Sequence, residues 1–271
     1  MDILIKQEIE RRGQLALKLA EQSALIAMNY LGKARQWSKQ DSSPVTEADI
    51  AIDQQLQQAI SAAFPDDAIL SEEGVDDRTR LNKDYCWVID PIDGTKEFIR
   101  QSNDFCIMIG LCYKGAPVYG VIHIPQTNEV FYGGPGFDTR LRRHGVNISL
   151  ANKELPGNTV LMSRSNRGQV VLPYLEENNL KPLKCGSSGV KACRLIDGTA
   201  QHYIHGTTIC EWDAAAADAL VKGAGGYFKA MNGQDFTYNK VDPTIDGIIA
   251  SFNLQRVEDI SQYFSTRLSF N

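Results

Sequence analysis

The chain has 271 residues, 43% hydrophobic and 23% charged, with 28 basic against 33 acidic side chains and a net charge of −5. That length fits about two ordinary domains with a self-sufficient core, and the composition excludes extensive disorder and collagen-like or low-complexity chains. An acidic balance with no Lys/Arg cluster argues against nucleic-acid binding, so an anionic ligand must be recognised by local cations or metals.

Ile5, Ile9, Ala16, Ala20, Ala27 and Leu31 recur at three- and four-residue steps and predict a helix over the first 35 residues. The polar segment from Gln36 to Pro44 is expected to be a loop. A second helix is expected from Thr46 to Phe64, with Ile52, Leu56, Ile60 and Ala63 as its stripe and Pro65-Asp66-Asp67 as its stop. Ala68-Ile69-Leu70 is a short apolar run ending in Ser71-Glu72-Glu73-Gly74. Cys86-Trp87-Val88-Ile89 predicts a buried strand that ends at Asp90-Pro91, with a short helix from Lys96 to Ile99. Phe105–Tyr113, Val118–Ile124 and Glu129–Tyr132 predict an antiparallel meander. One or two further strands are expected between Thr139 and Leu150, with Arg140, Arg142 and Arg143 on a strand face.

The polar stretch from Ala151 to Asn158 reads as a boundary between an α+β subdomain, residues 1–155, and an α/β subdomain, residues 156–271. In the second part, strands are expected at Thr159–Met162, His202–Ile204 and Gly247–Ser251. Helices are expected at Val170–Asn178, Gly189–Ile196, Asp213–Ala224 and Val257–Phe264. Cys86, Cys106, Cys112, Cys185, Cys193 and Cys210 show neither a C-x-x-C pair nor zinc spacing. They read as free, mostly buried thiols in a reducing compartment. The charged N-terminus is no secretory signal, and no apolar run approaches the roughly 18 residues of a membrane span, so a cytoplasmic location is expected. His123, His144 and His202 read as structural, with His205 the exception.

Chemistry concentrates in Asp90-Pro91-Ile92-Asp93-Gly94-Thr95. Proline stiffens the turn, glycine admits a ligand close to the backbone, and the paired carboxylates with the Ile92 carbonyl suit a hard cation such as Mg²⁺. Three further pieces have plain structural readings when taken singly. Thr46-Glu47-Ala48-Asp49 is a capping box, Glu72-Glu73 is solvated surface, and Asp213 before Ala214–Ala217 is a helix cap.

Taken together and in order, these pieces resemble the inositol monophosphatase superfamily, whose pattern is an E-E pair, then D-P-[IL]-D-G-T, then W-D-x-A-A. Ser43–Asp49, Leu70–Glu73, Asp93–Ile99, Ser163-Arg164-Ser165 and Gly186-Ser187-Ser188 look like the bacterial 3′(2′),5′-bisphosphate nucleotidases within it. The resemblance implies an α/β layered sandwich of two subdomains. It also implies an Mg²⁺-dependent, lithium-sensitive phosphomonoesterase that converts 3′-phosphoadenosine 5′-phosphate to AMP in sulfate assimilation, using a water activated at two or three metal ions. Glu72, Asp90, Asp93, Asp213 and the Ile92 carbonyl are the implied metal ligands. Asp49, Glu72 and Thr95 are the implied catalytic residues. Asp93, Gly94, Thr95, Arg164, Ser187, Ser188, Lys191 and Asp213 are the implied substrate contacts. An inositol monophosphatase or sugar-phosphate phosphatase of the same fold is the alternative. A catalytically silent metal- or nucleotide-binding protein is a remoter one, since a degenerate copy would be expected to lose an acid. His205-Gly206-Thr207-Thr208 departs from the nucleotidases' G-P-T, and the run from Ser188 to Lys191 is one residue longer than theirs. The implied partner is a small phosphorylated molecule, and a homodimer is left open.

Overall fold

A computed structural model describes residues 2–39, 43–76, 78–150, 156–164 and 170–267. Helix α1 (Ile3–Tyr30) and helix α2 (Glu47–Ala63) form where the apolar stripes predict them. Both lie on one face of a seven-stranded sheet in the order β3-β4-β5-β6-β7-β8-β9. Its strands are β3 (Ala68–Ser71), β4 (Tyr85–Asp93), β5 (Cys106–Tyr113), β6 (Ala116–Ile124), β7 (Glu129–Gly134), β8 (Phe137–Arg143) and β9 (Val146–Ser149). The expected meander is β5 to β7. β3 and β4 pair in parallel, and the remaining pairs are antiparallel.

The other face of this sheet meets helix α5 (Ser188–Ile196) and helix α6 (Ala215–Gly223). Beyond them stands a second sheet, in the order β11-β10-β12-β14-β13. Its strands are β10 (Thr159–Ser163), β11 (Lys181–Cys185), β12 (His202–Cys210), β13 (Tyr227–Lys229) and β14 (Thr244–Ser251). Helix α4 (Leu172–Glu177) and helix α7 (Leu254–Ser265) cover its outer side. Helix and sheet layers therefore alternate through the molecule, each interface filled by its own apolar cluster. The alanines after Trp212 have a packing reason. A Cβ at Gly120 would stand 2.3 Å from the Ala216 carbonyl oxygen, so only small residues let α6 lie this close to the sheet.

Some elements differ from expectation. The Gln36–Pro44 segment is not wholly a loop: β1 (Gln36–Ser38) pairs antiparallel with β2 (Pro44–Thr46). β1 is fully exposed, so it carries no apolar alternation to read. β11 and β13 were not anticipated. β11 is an edge strand exposed along most of its length, and Lys181-Pro182-Leu183-Lys184 gives no period of two. Residues 151–155 of the expected boundary lie outside the described residues. The arginines of β8 carry acidic partners: Asp138 for Arg140, Glu21 for Arg142 and Glu129 for Arg143. All six cysteines are free, and all but Cys210 are buried. Among the described residues, no helix is long and apolar enough to cross a membrane.

Candidate active site

The expected buried strand does not stop at Asp90 but continues as β4 to Asp93. Residues three apart on a regular strand point to opposite faces. Here the pairing with β5 shifts: Asp90 opposes Met108 and Asp93 opposes Cys106, so three steps on β4 face two on β5. This one-residue bulge returns both carboxylates to one side. Asp213 joins them from the opposite half of the chain. It closes a 3₁₀ turn (Glu211–Asp213) at the end of β12, and its carboxylate accepts the Cys210 N–H at 2.9 Å instead of capping α6. One oxygen each from Asp90, Asp93 and Asp213 lie within 4.8 Å of one another.

Three acids this close, in this degree of burial, are unstable as bare anions. Burial pushes the Asp90 carboxyl well above its ordinary range, reinforced by Glu72, Asp93 and Asp213. Burial likewise raises Asp213, with Asp93 next in importance. Asp90 Oδ1 is buried with no hydrogen-bond partner among the described residues. An orphaned carboxylate oxygen inside a cluster of hard donors fits a divalent cation such as Mg²⁺. Glu72 stands outside that trio. Its charge reaches Asp90 and Asp213, while its carboxylate is held by Lys39 Nζ at 2.7 Å, which also meets Glu73 at 2.7 Å. Burial works against the Lys39 charge, yet Glu72 and Glu73 hold its pKa above the usual lysine value.

The Ile92 carbonyl accepts from Thr95 Oγ1 at 3.3 Å, and the same hydroxyl reaches Asp49 Oδ1 at 3.3 Å. Asp49 is also the third residue of a complete capping box on α2, accepting from the Thr46 N–H at 2.9 Å and from Thr46 Oγ1 at 2.5 Å. A rigid helix start thus fixes a carboxylate against Thr95. Burial raises the Asp49 pKa to about 6, with Thr46 opposing the rise and Glu72 adding to it. Gly94 adopts φ +91°, and a Cβ there would lie 2.9 Å from the Asp104 carbonyl oxygen. Glycine is therefore required where β4 turns into helix α3 (Thr95–Ile99).

The expected substrate contacts are more engaged than their sequence suggests. Arg164 pairs with Glu97 at 2.9 Å and with Asp104. Ser165 lies outside the described residues. Lys191 is 1% exposed; Nζ donates to the Ser187 carbonyl at 2.7 Å and sits 5.4 Å from the Tyr203 ring centre. The Ser187 hydroxyl donates to Asp93 Oδ2 at 2.5 Å, and Ser188 Oγ lies 2.8 Å from the Tyr203 hydroxyl. His123 and His202 are buried against Ala20 and Ser251, and His205 Nδ1 lies 3.5 Å from the Tyr203 hydroxyl. Sequence reasoning missed Lys39, Glu97 and Asp104. Glu97 lay within a noted motif, but nothing in the pattern marked it as the partner of Arg164.

The sequence profile described as the inositol monophosphatase family matches residues 8–262. The chain is 34% identical over 208 residues to the 3′(2′),5′-bisphosphate nucleotidase CysQ of Aggregatibacter actinomycetemcomitans, covering 74% of this chain and 77% of that protein. It superposes on CysQ of Bacteroides thetaiotaomicron with a TM-score of 0.76 at 26% identity, covering 90% and 98% of the two chains. An inositol monophosphatase of Thermotoga maritima gives 0.79 at 24% identity, covering 94% and 98%, a likeness of fold.

Proposed function

The chain belongs to the inositol monophosphatase family and is a metal-dependent phosphatase, and from that premise we propose that it is an Mg²⁺-dependent enzyme hydrolysing 3′-phosphoadenosine 5′-phosphate to AMP and phosphate. The observation that carries the chemistry is the gathering of Asp90, Asp93 and Asp213 beside the Thr95–Asp49 contact. Similarity to nucleotidases supports the substrate. Residues 1–155 and 156–271 are read as two subdomains that share this site.

Asp90, Asp93, Asp213, Glu72 and the Ile92 carbonyl would hold the ions, two or three in number. When bound, Mg²⁺ lowers the pKa of water, neutralises phosphoryl charge and stabilises the leaving oxygen. The protein supplies the rest. Thr95 Oγ1 orients the attacking water, and Asp49 Oδ1 receives the proton through it; a carboxylate with a pKa of about 6 suits a base near neutral pH. The N–H groups of Gly94 and Thr95 point donors at the phosphate. Lys191 and Ser188 on α5 are read as contacts for a second phosphate, which must draw Lys191 Nζ away from the Ser187 carbonyl. Six free thiols support a reducing, cytoplasmic setting.

A second reading, an inositol or sugar monophosphate substrate, is favoured by one observation. Arg164 already faces two carboxylates, Glu97 and Asp104, and is poorly placed to serve a second phosphate. Phosphate release with Mg²⁺, with and without Li⁺, separates the two. The substrates are 3′-phosphoadenosine 5′-phosphate, inositol 1-phosphate and fructose 1,6-bisphosphate. A kcat/KM preference of about 100-fold for the nucleotide, roughly 2.7 kcal/mol of transition-state discrimination, is the expected result. A preference of that size for inositol phosphate would replace the first reading with the second.

A further inference from the structure

Asp93 is gripped from the far half of the chain. Its Oδ2 accepts the Ser187 hydroxyl at 2.5 Å and the Gly189 N–H at 2.6 Å, and the Cys106 thiol lies 3.7 Å away. Ser187 is the N-cap of α5, and its Oγ accepts the Val190 N–H at 3.0 Å. A hydroxyl has one proton to give. With Val190 donating to its oxygen, Ser187 directs that proton to Asp93. Gly189 lies in the first turn of α5, between Ser188 and Lys191. A Cβ there would stand 2.6 Å from Cys106 Sγ and 2.8 Å from Met108 Sδ, so only glycine brings this N–H against the aspartate.

We propose that Ser187 is a positioning residue for the cation site: the first turn of α5 fixes Asp93 through Oδ2 and leaves Oδ1 for the metal. This rests on the reading of Asp93 as a metal ligand. A free aspartate must lose rotamer freedom when it takes a cation. Here that freedom is removed on folding, by tethers from two separate elements. Outer partners that orient a metal ligand typically govern its affinity by about 10–100-fold. Ser187 therefore does not serve the substrate directly. Its hydroxyl is used inside the protein and the residue is fully buried.

Titration of the whole protein with Mn²⁺, read by electron paramagnetic resonance, tests this apart from turnover. The variants are Ser187→Gly and Ser187→Ala. Glycine is nearly as good an N-cap as serine, so Ser187→Gly removes the donor while sparing the helix. The expected result is Mn²⁺ affinity weakened about 10–100-fold in both variants. Phosphate release should recover most of its kcat at raised Mg²⁺. Asn253→Gly removes the corresponding cap of α7, whose Oδ1 accepts the Arg256 N–H at 2.8 Å. It should leave Mn²⁺ affinity unchanged, which a general loss of helix capping would not do. Folded Ser187 variants that bind Mn²⁺ within about threefold of the parent would overturn the proposal. Asp93→Asn binding Mn²⁺ as tightly as the parent would instead remove the metal-ligand reading beneath it.

Discussion

Asp49 links the site to stability in a way that pH exposes. Its carboxyl is 1% exposed and its pKa is raised to about 6 from an ordinary 3.8, chiefly by burial. A raised carboxyl favours the fold while it is protonated. That contribution is fully present below the unfolded value, near pH 4, and is lost as pH climbs through 6. The gap corresponds to about 3 kcal/mol, and a chain of this size converts it to a melting shift on the order of 5–10 °C. Asp90 and Asp213 act with the same sign. His123, whose pKa is lowered by burial, acts oppositely as pH falls below its ordinary 6.5. A difference between two proteins cancels the histidine. In chelator, Asp49→Asn is therefore expected to be more stable than the parent at pH 8 by about 1–3 kcal/mol, with the gap closing towards pH 5. Urea unfolding at several pH values measures it. Parallel curves across that range, or a less stable Asn variant at pH 8, would refute the reasoning. Millimolar Mg²⁺ should stabilise both proteins, since both keep Asp90, Asp93 and Asp213.

Asp93→Asn should lower kcat by at least about 10³ with the fold retained, because metal and phosphate contacts are disturbed together; single-turnover phosphate release decides it, and near-parent activity would remove Asp93 from the mechanism. Arg12→Ala should cost about 3–5 kcal/mol. The guanidinium meets Asp67 at 2.8 Å and lies 3.9 Å from the Tyr85 ring centre, and its loss leaves the buried Asp67 carboxylate with the Trp87 indole as its one side-chain donor among the described residues. A urea midpoint close to the parent's would contradict that ion pair. Gly94→Ala should lower both stability and phosphate release, since a φ of +91° strains any side chain and the new Cβ meets Asp104. Unchanged kcat/KM in this variant would show that the loop tolerates displacement.

Legibility followed the range of the interactions involved. Helix α1 was readable because Ile9, Ala16, Ala20 and Ala27 face one sheet and are buried there. Arg12, on the same buried face, was not readable, because its partner Asp67 lies 55 residues away. The alternation of layers followed from apolar runs, whereas β1 and β11 escaped because their side chains are mostly in water. The carboxylates at 90, 93 and 213 were singled out by their motifs and gather in space. Their separation along the strand did not reveal how Asp90 and Asp93 come to share a side. That needs the bulge against β5, a property of the pairing and not of either strand alone. The substrate side was least legible for a related reason. Sequence shows which side chains carry charge or a hydroxyl, but not whether the protein has already used them. Arg164 is held by Glu97 and Asp104, Ser187 by Asp93, and Lys39 by the glutamates it neutralises. Each of these contacts joins segments distant in the chain. The site is therefore best understood as an acidic cluster whose surrounding cations and hydroxyls have been drawn inward to hold it in shape.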